Sequence, residues 1–175
     1  MCIRDSSTTG LDGKEQIIRL AKNGDIIGYR ALITNERYRL TAIALEDCSA
    51  CVIDKNFFMD LAMKEPRIAQ KIFKLISNDL KRAEDQIVSL SQKNVRERMS
   101  EALLFLKATY GFEEDGKTIN VRLSREELAD YIGTSTESVI RLLSEFNNGG
   151  LIRLDGKRIM ILDNQKLVKT ANISY

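Results

Sequence analysis

Residues 121–146 read Val-Arg-Leu-Ser-Arg-Glu-Glu-Leu-Ala-Asp-Tyr-Ile-Gly-Thr-Ser-Thr-Glu-Ser-Val-Ile-Arg-Leu-Leu-Ser-Glu-Phe, and this stretch decides the fold. Two short helical patterns meet at Gly133. Ser124 and Glu127 stand three apart, the spacing of a capping box, in which two side chains satisfy two orphan backbone donors at a helix start. Leu128, Ala129 and Ile132 then share one face. Gly133 falls where a tight turn between helices needs positive φ, a conformation least costly for glycine. The second helix is expected to begin at Thr134 or Ser135, both good N-caps, and Thr134 with Glu137 offers a second capping box.

The second helix has two faces. At about 100° per residue, Val139, Leu142, Leu143 and Phe146 gather on one side, and Glu137, Arg141 and Ser144 on the other. A helix of this kind can pack on a small core and offer its polar ridge to the DNA major groove. There a Glu can accept from cytosine N4, and an Arg can donate two hydrogen bonds to guanine O6 and N7. Taken alone, Glu137 and Arg141 could equally be an ion pair on a solvated face. The residues C-terminal to them favour DNA. Leu151–Leu154 and Arg158–Leu162 are two strand candidates around Asp155-Gly156-Lys157, and an Asp-Gly pair is a strong hairpin signal. Such a hairpin is a wing, and Lys157 and Arg158 at its tip could touch phosphates. A further short helix is expected after Asp163.

Upstream, Ala69, Phe73, Ile76, Leu80, Ala83, Ile87 and Leu90 keep an unbroken 4-3-4-3-4-3 spacing, the narrow seam of a coiled coil. The helix carrying it should start at Pro66, in a position that tolerates proline, and pair with the same helix of a second chain. Its dimer-interface candidates are Phe73, Ile76, Leu80, Ala83, Ile87 and Leu90. A second stripe, Ile68, Ile72 and Leu75, is expected to pack on the part of the chain before it. The seam stops at Leu90, and Asn94 opens another capping box with Glu97, so a hinge is expected at Lys93-Asn94. Residues 1–92 and 93–175 are read as two units, with the dimerisation helix at 66–92. A helix around Met99–Ala108, a loop at Gly111–Gly116 and a strand at Thr118–Leu123 lead back to the quoted stretch.

The first unit reads as strands. Gln16–Leu20, Ile26–Gly28, Tyr38–Leu45 and Cys48–Ile53 are candidates, with turns at Asn23-Gly24 and Glu46-Asp47. Asp54 can cap a short helix through Met63. Residues 1–15 carry little pattern and look unlike the start of a folded domain. Cys48 and Cys51 are three apart; in a strand they point to opposite faces, so they are expected to be buried and structural.

The 27 basic and 25 acidic residues give a net charge of +2, and from Lys93 onward thirteen basic residues face twelve acidic ones. Any DNA affinity must come from local placement of charge. There is no histidine, which removes His-based triads and His-ligated zinc or haem, and three cysteines without a signal peptide fit a reducing cytoplasm. No apolar run has the length of a membrane span. No nucleophile–base pair or phosphate loop is visible, so an enzyme is not expected.

Taken together, the order is partial β-roll, long dimer helix, hinge and winged helix-turn-helix, an α+β architecture. It resembles the cyclic-AMP receptor protein / fumarate-nitrate reduction regulator family of bacterial transcription factors over residues 16–163, most specifically at Leu128–Gly133 and Glu137–Leu143. The resemblance implies base contacts from Glu137 and Arg141, and DNA contacts from Arg125, Ser135, Thr136, Ser138, Ile140, Lys157 and Arg158. The implied partners are a second copy of the chain, double-stranded DNA with a pseudo-palindromic site, and RNA polymerase. Ile140 stands where the oxygen-sensing branch often has Ser, and Thr136 where the cyclic-AMP branch has Arg. The family's phosphate cassette resembles Gly24–Tyr29 with the segment around Arg37–Ala42, which makes Gly24, Asp25, Arg37 and Arg39 the effector-site candidates. Asp25 replaces the ribose-binding Glu, and neither Arg37 nor Arg39 is followed by Ser or Thr, so no cofactor is expected. Against the family, about 40 residues of β-roll are expected to be missing before the cassette. The rival reading is a winged helix that docks a protein partner, for which the outward Ile140 and the near-neutral charge leave room.

Overall fold

The structure is a computed structural model; it describes residues 2–9 and 15–172, with side chains from Gln16 on. The chain runs β1 (Cys2–Thr9), β2 (Glu15–Lys22), α1 (Tyr29–Thr34), β3 (Thr41–Ala44), α2 (Lys55–Lys64), α3 (Pro66–Gln92), α4 (Val95–Tyr110), α5 (Arg125–Ile132), α6 (Thr136–Asn148), β4 (Ile152–Asp155), β5 (Arg158–Ile161) and α7 (Asn164–Ala171). β1 to β3 form an antiparallel sheet in the order β2-β1-β3, and β4 with β5 forms the wing.

The N-terminal strands differ most from the sequence reading. Residues 2–9, expected to lack structure, form the central strand, with Cys2 opposite Lys22 and Thr9 opposite Glu15. A strand paired on both sides takes its extended form from its neighbours and needs little local pattern. Ile26–Gly28 is not a strand; Gly28 (φ 76°) leads directly into α1. Tyr38–Leu45 shrinks to Thr41–Ala44, and Cys48–Ile53 is irregular. β3 pairs only with β1, so its alternating pattern has no second ladder to extend along. Cys48 and Cys51 are therefore free and exposed, not buried.

From Asp54 to Asn94, local chemistry and structure agree. Asp54 accepts from the N–H groups of Asn56 and Phe57 to start α2. Pro66 opens α3, whose 27 residues carry the seam. α3 packs on α2, and Ile72 of the second stripe is buried, while Phe73, Leu80 and Ile87 stay 70%, 60% and 66% exposed. Lys93 (ψ 141°) ends α3, and Asn94 begins α4 with the expected capping box to Glu97.

The C-terminal half closes around Met99, Leu103, Leu128, Val139, Phe146 and Leu167. Residues 118–123 do not form a strand; they make isolated bridges, Phe112 to Ile119 and Thr118 to Met160. Asp115 explains the departure. It accepts from the N–H groups of Lys117 and Thr118, at 2.9 and 2.7 Å, and from the Thr118 hydroxyl, bending the chain at the start of the expected ladder. α7 packs on α4 and buries Leu167 and Ala171. The division at residue 92 is not a break in the core: Ile17 and Leu20 of β2 belong to the same buried cluster as α4 and α5. The Gln16 side-chain amide adds hydrogen bonds to the Asp130 and Tyr131 carbonyls, at 2.5 and 3.4 Å.

Candidate nucleic-acid interface

The reading head is built from short-range chemistry first. Ser124 Oγ accepts from the Glu127 N–H at 3.1 Å, and Glu127 Oε2 accepts from the Ser124 N–H at 2.7 Å, so both halves of the α5 capping box form. α5 ends at Gly133 in the left-handed region (φ 68°, ψ 57°), as a two-helix turn requires. The next helix starts one residue later than a Thr134–Glu137 box would have it. Ser135 is the N-cap, with its hydroxyl accepting from the Ser138 N–H at 3.3 Å.

α6 then divides as its sequence does. Val139, Leu142, Leu143 and Phe146 are buried, while Glu137, Ile140, Arg141 and Ser144 are exposed. Two contacts from α4 fix how far α6 stands out. The Arg96 guanidinium pairs with Glu145 and lies 5.0 Å from the centre of the Phe146 ring. At the helix start a backbone N–H, seconded by the Ser135 hydroxyl, holds the Glu137 carboxyl below its ordinary value. Glu137 is thus an ionised acceptor facing solvent one turn from the Arg141 guanidinium. That pair can take a donor and an acceptor from adjacent base edges.

The wing stands beside this helix. Gly156 (φ 56°) makes its turn, and the Asn147 amide oxygen accepts from the Leu154 N–H at 3.1 Å, joining wing to α6. Of the basic residues expected at the DNA backbone, the structure treats three differently. Lys157 is exposed at the tip. Arg158 is drawn back to Glu113, with Asp155 3.8 Å away, and its pKa is raised first by the Glu113 hydrogen bond. Arg125 donates to the Gly156 carbonyl at 2.9 Å, and its burial lowers its pKa. Both arginines therefore hold the wing in place within the domain. Neither Glu113 nor Arg98 stands out in the sequence. Arg98 donates to the carbonyls of Lys93, Ile132 and Gly133 at 2.8, 2.9 and 3.1 Å, tying the hinge to the turn of the reading head. Each sits among other charges, Arg98 after Arg96 and Glu97, and Glu113 beside Glu114 and Asp115, so nothing local marks it out for partners far along the chain.

The effector candidates do not assemble. Gly24 (φ 87°) and Asp25 lie in the turn after β2, where the Asp25 carboxylate accepts from the Lys22 N–H at 3.0 Å and faces Arg19 at 4.0 Å. Arg37 and Arg39 are exposed on the irregular stretch before β3, and neither bonds to Asp25. A cavity of about 230 Å³ lies elsewhere, between β2, α3, α4 and α5, lined by Leu20, Leu90 and Phe105 on its apolar side and by Arg19, Arg82 and Glu101 among its charged residues. Among the described residues no three or more His, Cys, Asp or Glu side chains gather to hold a metal ion.

Comparison with known proteins agrees with this arrangement. The Crp-like helix-turn-helix domain family matches residues 97–170, and the cyclic nucleotide-binding domain family matches residues 5–65. The chain is 32% identical over 97% of its length to the fumarate and nitrate reduction regulatory protein of Vibrio cholerae, covering 68% of that protein. It is 32% identical over 93% of its length to the electron transport regulator A of Shewanella oneidensis, covering 65% of it. The chain thus spans about two thirds of the length of these relatives. The solved structure of FixK2 from Bradyrhizobium japonicum shares the fold, with a TM-score of 0.88 at 24% identity over 99% of this chain and 85% of that one.

Proposed function

Because the chain belongs to the Crp/Fnr family of DNA-binding transcription regulators, we propose that it reads a two-fold site in double-stranded DNA as a homodimer. The observation that carries this reading is the split of α6. Its apolar face is fully used inside the domain, and its outward face sets an ionised Glu137 one turn from Arg141. Glu137 accepts from a cytosine N4 amine and Arg141 donates to guanine O6 and N7. Ser135, Thr136 and Ser138 line the helix start nearest the backbone, and Lys157 at the wing tip meets a phosphate. Arg125 and Arg158 act one step back, positioning the wing.

The second copy pairs along α3. Phe73, Ile76, Leu80, Ala83, Ile87 and Leu90 lie on one stripe, and five of the six are large apolar side chains left 38–70% exposed. Two-fold pairing there sets the two reading heads about one helical turn of DNA apart, roughly 34 Å. The N-terminal half regulates by favouring one angle at the Lys93-Asn94 hinge, which any effector can do only by binding one arrangement more tightly.

The test is selection of bound sequences from a random duplex pool, with titration of the winner. The expected outcome is a pseudo-palindrome with a steep salt dependence. Arg141→Ala should weaken the selected duplex by about 1–3 kcal/mol and relax the preference at one base pair per half-site. If no sequence is enriched, or if Arg141→Ala weakens selected and unrelated duplexes alike, the reading fails.

A further inference from the structure

We propose that Ile140 is a specificity residue that recognises the C5-methyl group of a thymine in the major groove. The proposal rests on α6 being the helix that enters the groove. Among the described residues from Lys93 on, only Ile140 and Leu162 are large apolar side chains left substantially exposed, and Ile140 is 53% exposed. A single exposed apolar side chain is ordinary on a protein surface. The position of this one is what matters. At about 100° per residue, Ile140 lies some 60° around the helix from Glu137 and next to Ser144, on the side α6 turns away from its core. The core does not need it, because Val139, Leu142, Leu143 and Phe146 already fill the inner face.

A base pair seen from the major groove offers mostly hydrogen-bonding groups: N7 and O6 of guanine, N7 and N6 of adenine, N4 of cytosine and O4 of thymine. Isoleucine can pair with none of these. Pressed against them it strips water from polar groups and returns nothing. The thymine methyl is the one unmodified-DNA group on that edge that gains by apolar contact. Isoleucine is also stiff: in a helix its branched Cβ leaves one favoured χ1 rotamer, so little freedom is lost on contact. Glu137 and Arg141 thus select base pairs by hydrogen bonds, and Ile140 selects a neighbouring one by shape and by the penalty it imposes on the others. 5-Methylcytosine presents the same methyl group; thymine is the natural source proposed here.

Deoxyuridine differs from thymidine at that edge by the methyl group alone, which makes the test sharp. In the selected duplex, each half-site thymine is replaced in turn by deoxyuridine and titrated with the native protein and with Ile140→Ala. At one thymine per half-site the native protein should lose about four-fold in affinity, the worth of one buried methyl. Ile140→Ala should bind the thymine duplex more weakly and show no difference between thymine and deoxyuridine there. Cytosine against 5-methylcytosine at the same position should give the same methyl preference for the native protein only. Two controls guard the comparison: unchanged thermal unfolding and unchanged affinity for an unrelated duplex. The proposal is overturned if no deoxyuridine costs affinity, or if the loss is the same in both proteins. A selected site bearing cytosine at that position, tightened only by C5-methylation, overturns thymine as the target. Failure to select any sequence at all would instead count against the DNA-reading proposal itself.

Discussion

Replacing Arg98 by alanine should destabilise the protein by about 2–4 kcal/mol, a range set by hydrogen bonds to a charged group. Arg98 lies on the first turn of α4. Nη1 donates to the Lys93 carbonyl at 2.8 Å, Nε to Ile132 at 2.9 Å and Nη2 to Gly133 at 3.1 Å. Two of these acceptors close the C-terminal end of α5, where the backbone leaves carbonyls without helical partners and favours a cation. A hydrogen bond to a charged group contributes about 1.5–3 kcal/mol. The three bonds share one half-buried side chain, so they do not simply add, and the total is set nearer the value of one and a half bonds. For a chain of this size each kcal/mol moves the melting temperature by roughly 2–4 °C.

The assay is urea unfolding monitored by circular dichroism, with a thermal scan beside it. Arg98→Lys is the informative companion, because an ammonium keeps the charge but cannot span three carbonyls in a fork. It should recover less than half of the loss. If Arg98→Ala costs under about 0.5 kcal/mol, the range of an ordinary surface substitution, or if lysine restores full stability, the three bonds do not carry the weight assigned to them. A second readout separates stability from coupling. In the folded variant the two reading heads should no longer hold one angle, so affinity for the selected two-fold site falls while affinity for unrelated DNA is kept.

Two further outcomes can be checked directly. The Asp115 carboxyl is lowered to about 2 from 3.8, first by the Thr118 hydroxyl and then by the Thr118 and Lys117 N–H groups. A depressed carboxylate pKa stabilises the fold above the unfolded value and loses that contribution as pH falls through 3.8 toward 2; acid titration of stability should show the loss in this window, and Asp115→Asn should flatten it. Leu80 sits mid-seam and 60% exposed, so Leu80→Glu should yield monomers by sedimentation and remove the concentration dependence of the unfolding midpoint; a Leu80→Glu protein that still sediments as a dimer would move the interface off α3.

The reading head was legible because its signals are local. Ser124 with Glu127, Asn94 with Glu97, Gly133 and Asp155-Gly156 each act within a few residues, and each forms as spelled. The α6 cap shows how fine that reading goes: Thr134 and Ser135 are chemically alike, and only the path of the turn selects Ser135. Strands depend on partners that the local sequence does not name. Residues 2–9 have little pattern but two neighbours, and residues 48–53 have a pattern but none, which also leaves Cys48 and Cys51 outside. The wing arginines show the same limit one level up. Their charge suggests phosphate, but Glu113 and the Gly156 carbonyl, 45 and 31 residues away, claim them.

The hinge and the recognition helix form a continuous mechanical path. The last seam residue, Leu90, reaches over the hinge to the turn: a Cβ on residue 133 would come within 2.9 Å of its Cδ2. Arg98 bonds the carbonyl of Lys93 and those of Ile132 and Gly133 at once. Arg96, two residues before it on the same helix, holds α6 through Glu145 and Phe146. The turn between α5 and α6 is therefore held from both sides of Lys93-Asn94, and Ile17 and Leu20 of β2 share its core. A change of angle there has to exchange some of these contacts for others. In a two-fold dimer, small rotations of this kind act at both heads and change the distance between them, which DNA with half-sites a fixed turn apart registers as fit or misfit. On the proposed hinge mechanism, regulation requires no change in Glu137, Ile140 or Arg141. It requires only that the N-terminal half prefer one arrangement of these contacts.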